Sequence, residues 1–199
     1  MSLSSQHSPA LRSIEAANFE TLLERISAQL GASAHVYDEN GTFPHDNFKL
    51  LHEHALLALT IPKSLGGGGA NLAQARKVIR AIAKGEPSTA LILVMQYIQH
   101  ARLQDNQNWP EALRLQVAQD AVREGALINA LRVEPDLGTP ARGGLPATIA
   151  RRTAAGWRIS GRKIYSTGSH GLTWFSLWAR SNDEDPLVGA WLVHKDTPG

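Results

Sequence analysis

The sequence predicts an α+β fold, in which an N-terminal all-α helical bundle is followed by an antiparallel, barrel-like β domain. Three observations support this prediction. Apolar residues recur at helical spacing up to Gly125, glycines then recur at hairpin-like intervals, and short alternating runs replace the helical ones. We therefore expect a helical domain at residues 1–125 and a β domain at residues 126–199.

Composition indicates a globular protein. The 199 residues are 43% hydrophobic, which is enough to bury a core. The 20 Lys and Arg against 18 Asp and Glu give a net charge of +2, with no dense basic run to bind nucleic acid. The absence of Cys excludes disulfides and thiolate metal sites, and we predict no metal site. The apolar runs are shorter than the roughly 20 residues of a bilayer span, so we expect a cytoplasmic protein.

Five helices are predicted in the first domain. Gly31 is a stop signal for the first of them, so that residues 32–44 are expected to form a loop. The second is expected to end before Pro62, and Gly125 ends the fifth. The predicted helices begin, in chain order, near Leu11, Asp46, Asn71, Ser88 and Pro110.

Four consecutive glycines, Gly66–Gly69, follow the second helix. Such a run is found in phosphate-binding loops, but here no strand precedes it and no Gly-Lys-Ser/Thr closes it. A tight turn between two helices, which uses the unusual backbone angles open to glycine, is the favoured interpretation.

Six strands are predicted in the second domain. Between them, the turns Glu134–Thr139 and Tyr165–Ser169 each offer hydroxyls and backbone N–H groups beside an apolar or aromatic residue. A flat ring system that forms hydrogen bonds would fit such a place. The predicted strands are Ala126–Val133, Ala147–Thr153, Gly156–Ser160, Arg162–Ser166, Trp174–Arg180 and Leu187–His194.

Three motifs in this region resemble the acyl-CoA dehydrogenase family. Val133–Thr139 reads Val-Glu-Pro-Asp-Leu-Gly-Thr, where the family has Thr-Glu-Pro-x-x-Gly-Ser. Gly161–Gly168 stands in the place of Gly-x-Lys-x-Trp-Ile-Thr-Asn, and a later strand ends in Ala179-Arg180 as in the family. Pro62–Gly69 also resembles a glycine-rich segment of the family's N-terminal domain.

The resemblance implies a flavoprotein oxidoreductase with FAD as cofactor. It implies α,β-dehydrogenation of an acyl-CoA thioester, with hydride passing to flavin N5. Thr139 and His100 are the candidate substrate-binding residues. The candidate FAD-binding residues are Leu131, Val133, Thr139, Tyr165, Ser166 and Thr167.

The resemblance also implies partners and an incomplete second domain. We expect an electron-transfer flavoprotein or a flavin reductase as redox partner, and a homo-oligomer. Lys195–Gly199 resembles a segment in the middle of the family's β domain, so the chain is expected to stop inside that domain. The catalytic base, which the family places in later helices, is therefore expected outside these residues.

Departures from the family motifs keep other functions open. Val133 replaces a threonine, Gly168-Ser169 replaces Asn-Gly, and Arg132 is an unexpected bulky cation. A reduced-flavin-dependent monooxygenase of the same fold is the first alternative. A non-catalytic binding module that holds no flavin is the second.

Several candidates also have a purely structural interpretation. Tyr165 can be a residue that packs across strands, and His100 can be a hydrogen-bonded core histidine. His170 lies in the second turn, where an exposed position is expected. Glu134 and Asp136 have no evident partner that would tune them as acid and base, so we expect a structural role for them.

Overall fold

Residues 9–137 and 144–198, which the computed structural model describes, form five α-helices followed by five β-strands. In these two ranges no helix combines the length and the apolar character needed to cross a bilayer. The helices are α1 Pro9–Asn40, α2 His45–Glu53, α3 Leu72–Gly85, α4 Pro87–Asp105 and α5 Glu111–Glu124. The strands are β1 Leu127–Leu131, β2 Ile149–Thr153, β3 Gly156–Ser160, β4 Leu172–Ser181 and β5 Val188–His194.

The first helix continues through Gly31, so the predicted stop and the predicted loop at residues 32–44 are both wrong over most of their length. Gly31 instead lies against the end of α3, where a Cβ on it would be 3.6 Å from the Gly85 carbonyl oxygen. A Cβ on Gly85 would lie only 2.2 Å from the Ser27 carbonyl oxygen. Glycine is therefore needed at Gly85 because two helix backbones cross in contact there.

The starts of α3 and α4 are fixed by side-chain caps. Asn71 caps α3 as predicted, and the Gln74 side-chain oxygen completes a capping box by accepting a hydrogen bond from the Asn71 N–H. The cap of α4 is Glu86 and not Ser88, because the Glu86 carboxylate accepts hydrogen bonds from the Ser88 and Thr89 N–H groups. α2 is also shorter than predicted, since it ends at Glu53.

The glycine run forms a tight turn that packs on the segment before it. The N–H groups of Gly68 and Gly69 donate to the carbonyl oxygens of Ala58 and Ile61 at 3.1 and 2.8 Å. A Cβ on Gly67 would lie 2.2 Å from the Ile61 oxygen. These N–H groups are already bonded to the backbone, so the turn is not a phosphate cradle.

The sheet is mixed, and its order is β1-β4-β2-β3 with β5 on the other edge of β4. β2 pairs with β3 and β4 pairs with β5 in antiparallel fashion, but β4 pairs in parallel with β1 and β2. The predicted α+β fold of helices followed by a barrel-like β domain is confirmed, but the sheet is mixed and not antiparallel throughout. The long β4 pairs first with β1 and then with β2, which curls the sheet into half a barrel.

One predicted strand is absent. Residues 162–166, which the structure describes, have no strand conformation. The Ile164 N–H donates to the Val133 carbonyl oxygen at 3.0 Å, which makes a single contact between two loops instead of a ladder.

The helices and the sheet share one core. The largest cluster of buried apolar side chains includes Leu93 of α4 together with Leu127 of β1 and Leu172 of β4. Buried Gln96 of α4 donates to the Ala126 carbonyl oxygen at 3.0 Å, and its own oxygen accepts from the Ile128 N–H at 2.8 Å. The change from helix to strand falls at Gly125, while independent domains at 1–125 and 126–199 stay a prediction.

Candidate functional site

A buried ion pair joins the first predicted loop to the segment that leads into the second. Lys163 Nζ lies 2.6 Å from Glu134 Oε1, and the two side chains are only 7% and 2% exposed. Glu134 also accepts hydrogen bonds from the Ala147 N–H at 2.7 Å and from the Thr148 N–H and hydroxyl at 3.0 and 2.6 Å. Lys163 donates in addition to the carbonyl oxygen of Trp178 in β4. The pair therefore connects the end of β1, the start of β2, the segment that leads into the second loop, and β4.

This environment sets the charge state of Glu134. Burial alone would raise the pKa of the carboxyl, but the hydrogen bonds from Lys163, Thr148 and the Ala147 backbone outweigh burial and lower the pKa from 4.5 to about 2. The group is ionised at neutral pH and its oxygens are occupied, so it is a poor proton acceptor. The structural role expected for Glu134 agrees with this geometry. Its charged partner, Lys163, lies 29 residues later in the chain and keeps the carboxylate ionised, so it does not tune Glu134 as an acid or a base.

Two further hydrogen bonds hold the second loop and the segment before it against β1 and the residues that follow β1. One is the contact between the Ile164 N–H and the Val133 carbonyl oxygen. The other runs from the amide nitrogen of Asn129 in β1 to the Thr167 carbonyl oxygen, at 3.0 Å. The backbone of Val133 and the Tyr165–Thr167 segment are thus brought together at one end of β1.

Tyr165 is the unusual residue of this segment. Its backbone has a φ of 54°, in the left-handed region that non-glycine residues rarely adopt, and its side chain is 85% exposed. A packing role across strands would bury the ring, so the alternative interpretation does not fit. A strained, exposed aromatic residue beside a fixed loop is typical of a position that contacts a ligand.

The neighbours of Tyr165 are more enclosed. Ser166 and Thr167 are half-buried, and a short 3-10 helix at Ser169–Gly171 follows them. Gly168 has a φ of 79°, and a Cβ on it would lie 3.1 Å from the Ile92 side chain of α4. The glycine that replaces the family's Asn therefore allows the loop to pack closely on α4.

His100 lies in the core. It is 1% exposed, and Gln96 Nε2 donates to its Nε2 at 3.0 Å, since the Gln96 oxygen already accepts from the backbone. Burial lowers the pKa of His100 to about 4, so the ring is neutral at pH 7. This placement matches the core-histidine interpretation, and its role as a substrate-binding residue stays a prediction.

The other candidates are distributed as follows. Leu131 is buried in the shared core, with 8% of its surface exposed, and His170 is exposed as expected. Thr139 lies outside the described residues. Lys163 and Asn129 were not predicted, although Lys163 stands inside a quoted motif and its charge is opposite to that of Glu134.

Removing the lysine should destabilise the fold. Lys163→Met leaves a buried carboxylate without its cation, and we expect the free energy of unfolding to fall by about 3 kcal/mol or more. Lys77→Met is the matched control, because Lys77 and its partner Glu20 are 42% and 58% exposed and such pairs contribute about 1 kcal/mol or less. Urea unfolding measures both changes. Equal losses in the two variants would show that the buried pair does not stabilise the loops.

Comparison with known proteins relates this fold to flavoenzymes. Residues 17–103 match the acyl-CoA dehydrogenase N-terminal domain. YdbM of Bacillus subtilis (strain 168), which is named as an acyl-CoA dehydrogenase, is 34% identical over 175 residues. The L-evernosamine nitrososynthase of Micromonospora sp. is 29% identical over 189 residues.

These matches cover most of this chain and less than half of each relative. The two alignments take in 88% and 89% of the chain but 45% and 42% of the relatives. The structure of KijD3 in complex with FMN and an amino-keto dTDP-sugar superimposes with a TM-score of 0.74 at 28% identity, over 99% of this chain and 47% of that one. The match to the N-terminal domain, the relatives and the fold all support the acyl-CoA dehydrogenase family for this chain.

Proposed function

We propose that the two loops linked through the Glu134–Lys163 pair form part of the flavin site of an oxidoreductase. The observation that supports this most directly is Tyr165, whose exposed ring and strained backbone have no structural explanation in the described residues. The FMN bound in the KijD3 structure adds support from a protein of the same fold.

The described residues suit a flavin in their chemistry. Tyr165 offers an aromatic face, while Ser166 and Thr167 offer half-buried hydroxyls that can donate to ring heteroatoms. The family motifs add the backbone groups of Leu131 and Val133 to the proposed site. When bound, a flavin accepts two electrons from a substrate, and donors placed at the ring stabilise the charge that develops. FAD is the cofactor that we propose, on the basis of the family motifs.

The reaction that we propose first is α,β-dehydrogenation of an acyl-CoA thioester. Glu134 and His100 are unsuited to take the α-proton, because one has a pKa of about 2 and the other is a buried ring with a pKa of about 4. The base is accordingly proposed to come from outside residues 1–199. An electron-transfer flavoprotein as electron acceptor, a homo-oligomer and a cytoplasmic location are further proposals from the family.

A reduced-flavin-dependent monooxygenase is the second candidate. Two observations favour it: the similarity to a nitrososynthase, and Val133, which removes a hydroxyl that the dehydrogenase motif has at that position. In this case the redox partner is a flavin reductase. A non-catalytic binding module stays the third candidate.

Flavin binding should depend on the Tyr165 ring and not on the stability of the loop. We expect Tyr165→Gly to bind FAD or FMN about tenfold more weakly, which corresponds to about 1.4 kcal/mol of lost stacking. Its free energy of unfolding should change by about 1 kcal/mol or less, because glycine relieves the positive φ. Flavin fluorescence titration measures the affinity, with Tyr165→Phe as the control that keeps the ring.

Wild-type affinity in Tyr165→Gly would contradict the proposed position of the flavin. A failure of the wild-type protein to bind either flavin would favour the non-catalytic module.

The two candidate reactions differ in their need for oxygen. For the dehydrogenase, we expect a panel of acyl-CoA thioesters to bleach the absorbance of the flavin-loaded protein under anaerobic conditions. For the monooxygenase, product should form only with oxygen and a flavin reductase. Absence of bleaching together with oxygen-dependent product would overturn dehydrogenation.

A further inference from the structure

A cavity lies between the C-terminal half of α4 and the sheet. Its volume is about 460 Å³, within the range of small-molecule sites. Ile128 and Ala130 of β1 line it, and so does Arg132 just after that strand. Successive residues of a strand face opposite sides, so this cavity lies on the other face of β1 from Asn129, which holds the proposed flavin loop.

Arg132 is the polar centre of this cavity. Its guanidinium carbon lies 4.7 Å from the centroid of the Trp178 ring, in a cation–π contact. Its Nε is buried and has no hydrogen-bond partner among the described residues. In the same part of the chain, no carboxylate forms an ion pair with Arg132. A half-buried cation with an unused donor is costly, and an anion that enters the cavity would supply the missing partner.

The other polar lining residues favour an anion. Arg102 of α4 is a second cation, and the buried amide of Gln99 offers a further donor. Among the described residues that line the cavity, Asp105 is the only carboxylate, so two guanidinium groups stand against one negative charge. A guanidinium is suited to carboxylates and phosphates because its parallel N–H groups can bind two oxygens at once.

Much of the remaining wall is apolar, although Asn106 and Ser176 also line it. Trp178, Trp109, Leu103 and Ile128 present rings and aliphatic groups to the same space. A hydrated inorganic ion gains no binding energy from apolar walls, whereas an organic anion can bury its apolar part against them.

We propose that this cavity binds a small organic anion, with a carboxylate or phosphate on an apolar body, and that Arg132 is the residue that binds the anionic group. Arg102 and Gln99 assist, and the Trp178 ring holds the Arg132 guanidinium in place. The site needs no flavin, so this proposal stands apart from the proposed reaction.

The test is a titration of the purified protein with benzoate and with phenyl phosphate, read by the fluorescence of the tryptophans that line the cavity. Benzamide, which is neutral and of similar shape, is the control ligand. We expect saturable binding of at least one anion and none of benzamide. Tighter benzoate would indicate a carboxylate ligand, and tighter phenyl phosphate would indicate a phosphate ester.

Three variants test the role of the arginine. Arg132→Gln should lower the affinity for the anion about tenfold or more. Arg132→Lys should lower it less, because lysine keeps the charge and loses only the planar arrangement of donors. Asp105→Asn should tighten binding, since it removes the competing carboxylate. Arg158→Gln is the matched control, because Arg158 is an exposed arginine of β3 that does not line the cavity.

The proposal is overturned if neither anion binds saturably, or if Arg132→Gln and Arg132→Lys bind as the wild type does. Should Arg132→Gln not fold, as judged from its unfolding transition, Arg132→Lys and Asp105→Asn decide the question. Flavin plays no part in these measurements, so their failure would leave the proposed flavin site untouched.

Discussion

The ion pair between Glu134 and Lys163 is the interaction on which the rest of this site depends. Burying two charges is expensive, and a buried pair is tolerated only when further hydrogen bonds satisfy both groups. Here Glu134 accepts from Thr148 and the Ala147 backbone as well, and Lys163 also donates to the Trp178 carbonyl oxygen. Four segments that are distant in sequence are therefore fixed to one point at the end of β1.

Both faces of β1 acquire a role from this arrangement. On one face, Asn129 holds the loop that presents Tyr165. On the other, Arg132 lies over the Trp178 ring at the edge of the 460 Å³ cavity. Trp178 contributes to both sites, because its carbonyl oxygen accepts a hydrogen bond from Lys163 and its ring makes the cation–π contact with Arg132. A change in the ion pair would thus reach the loop and the cavity together.

The sequence predicts the order of elements well, because it depends on local signals. Asn71 caps its helix through contacts within three residues, and Gly125 ends α5 in a left-handed conformation, so both can be recognised from the sequence. The exposed position of His170 and the tight turn at Gly66–Gly69 are also features that local sequence signals predict. The family motifs add the positions of both loops and the glycine-rich turn.

Features that depend on distant contacts could not be predicted in this way. Gly31 has the appearance of a helix stop, but it lies inside α1 because that helix crosses the end of α3 at Gly85. The parallel pairing of β4 with β1 brings Leu172 beside Leu127, which is distant in sequence, and hairpin-like glycine spacing does not show it. The partner of Glu134 lies 29 residues away, so only the folded chain identifies it.

The central claim is that the buried pair positions the residues that bind flavin. Its most direct test is the flavin affinity of Lys163→Met beside that of Lys77→Met, measured under conditions in which both variants are folded. We expect the affinity to fall by about tenfold or more in Lys163→Met, because the Tyr165 loop loses its attachment to β1, and to remain unchanged in Lys77→Met. A folded Lys163→Met protein that binds flavin as tightly as the wild type would contradict the account.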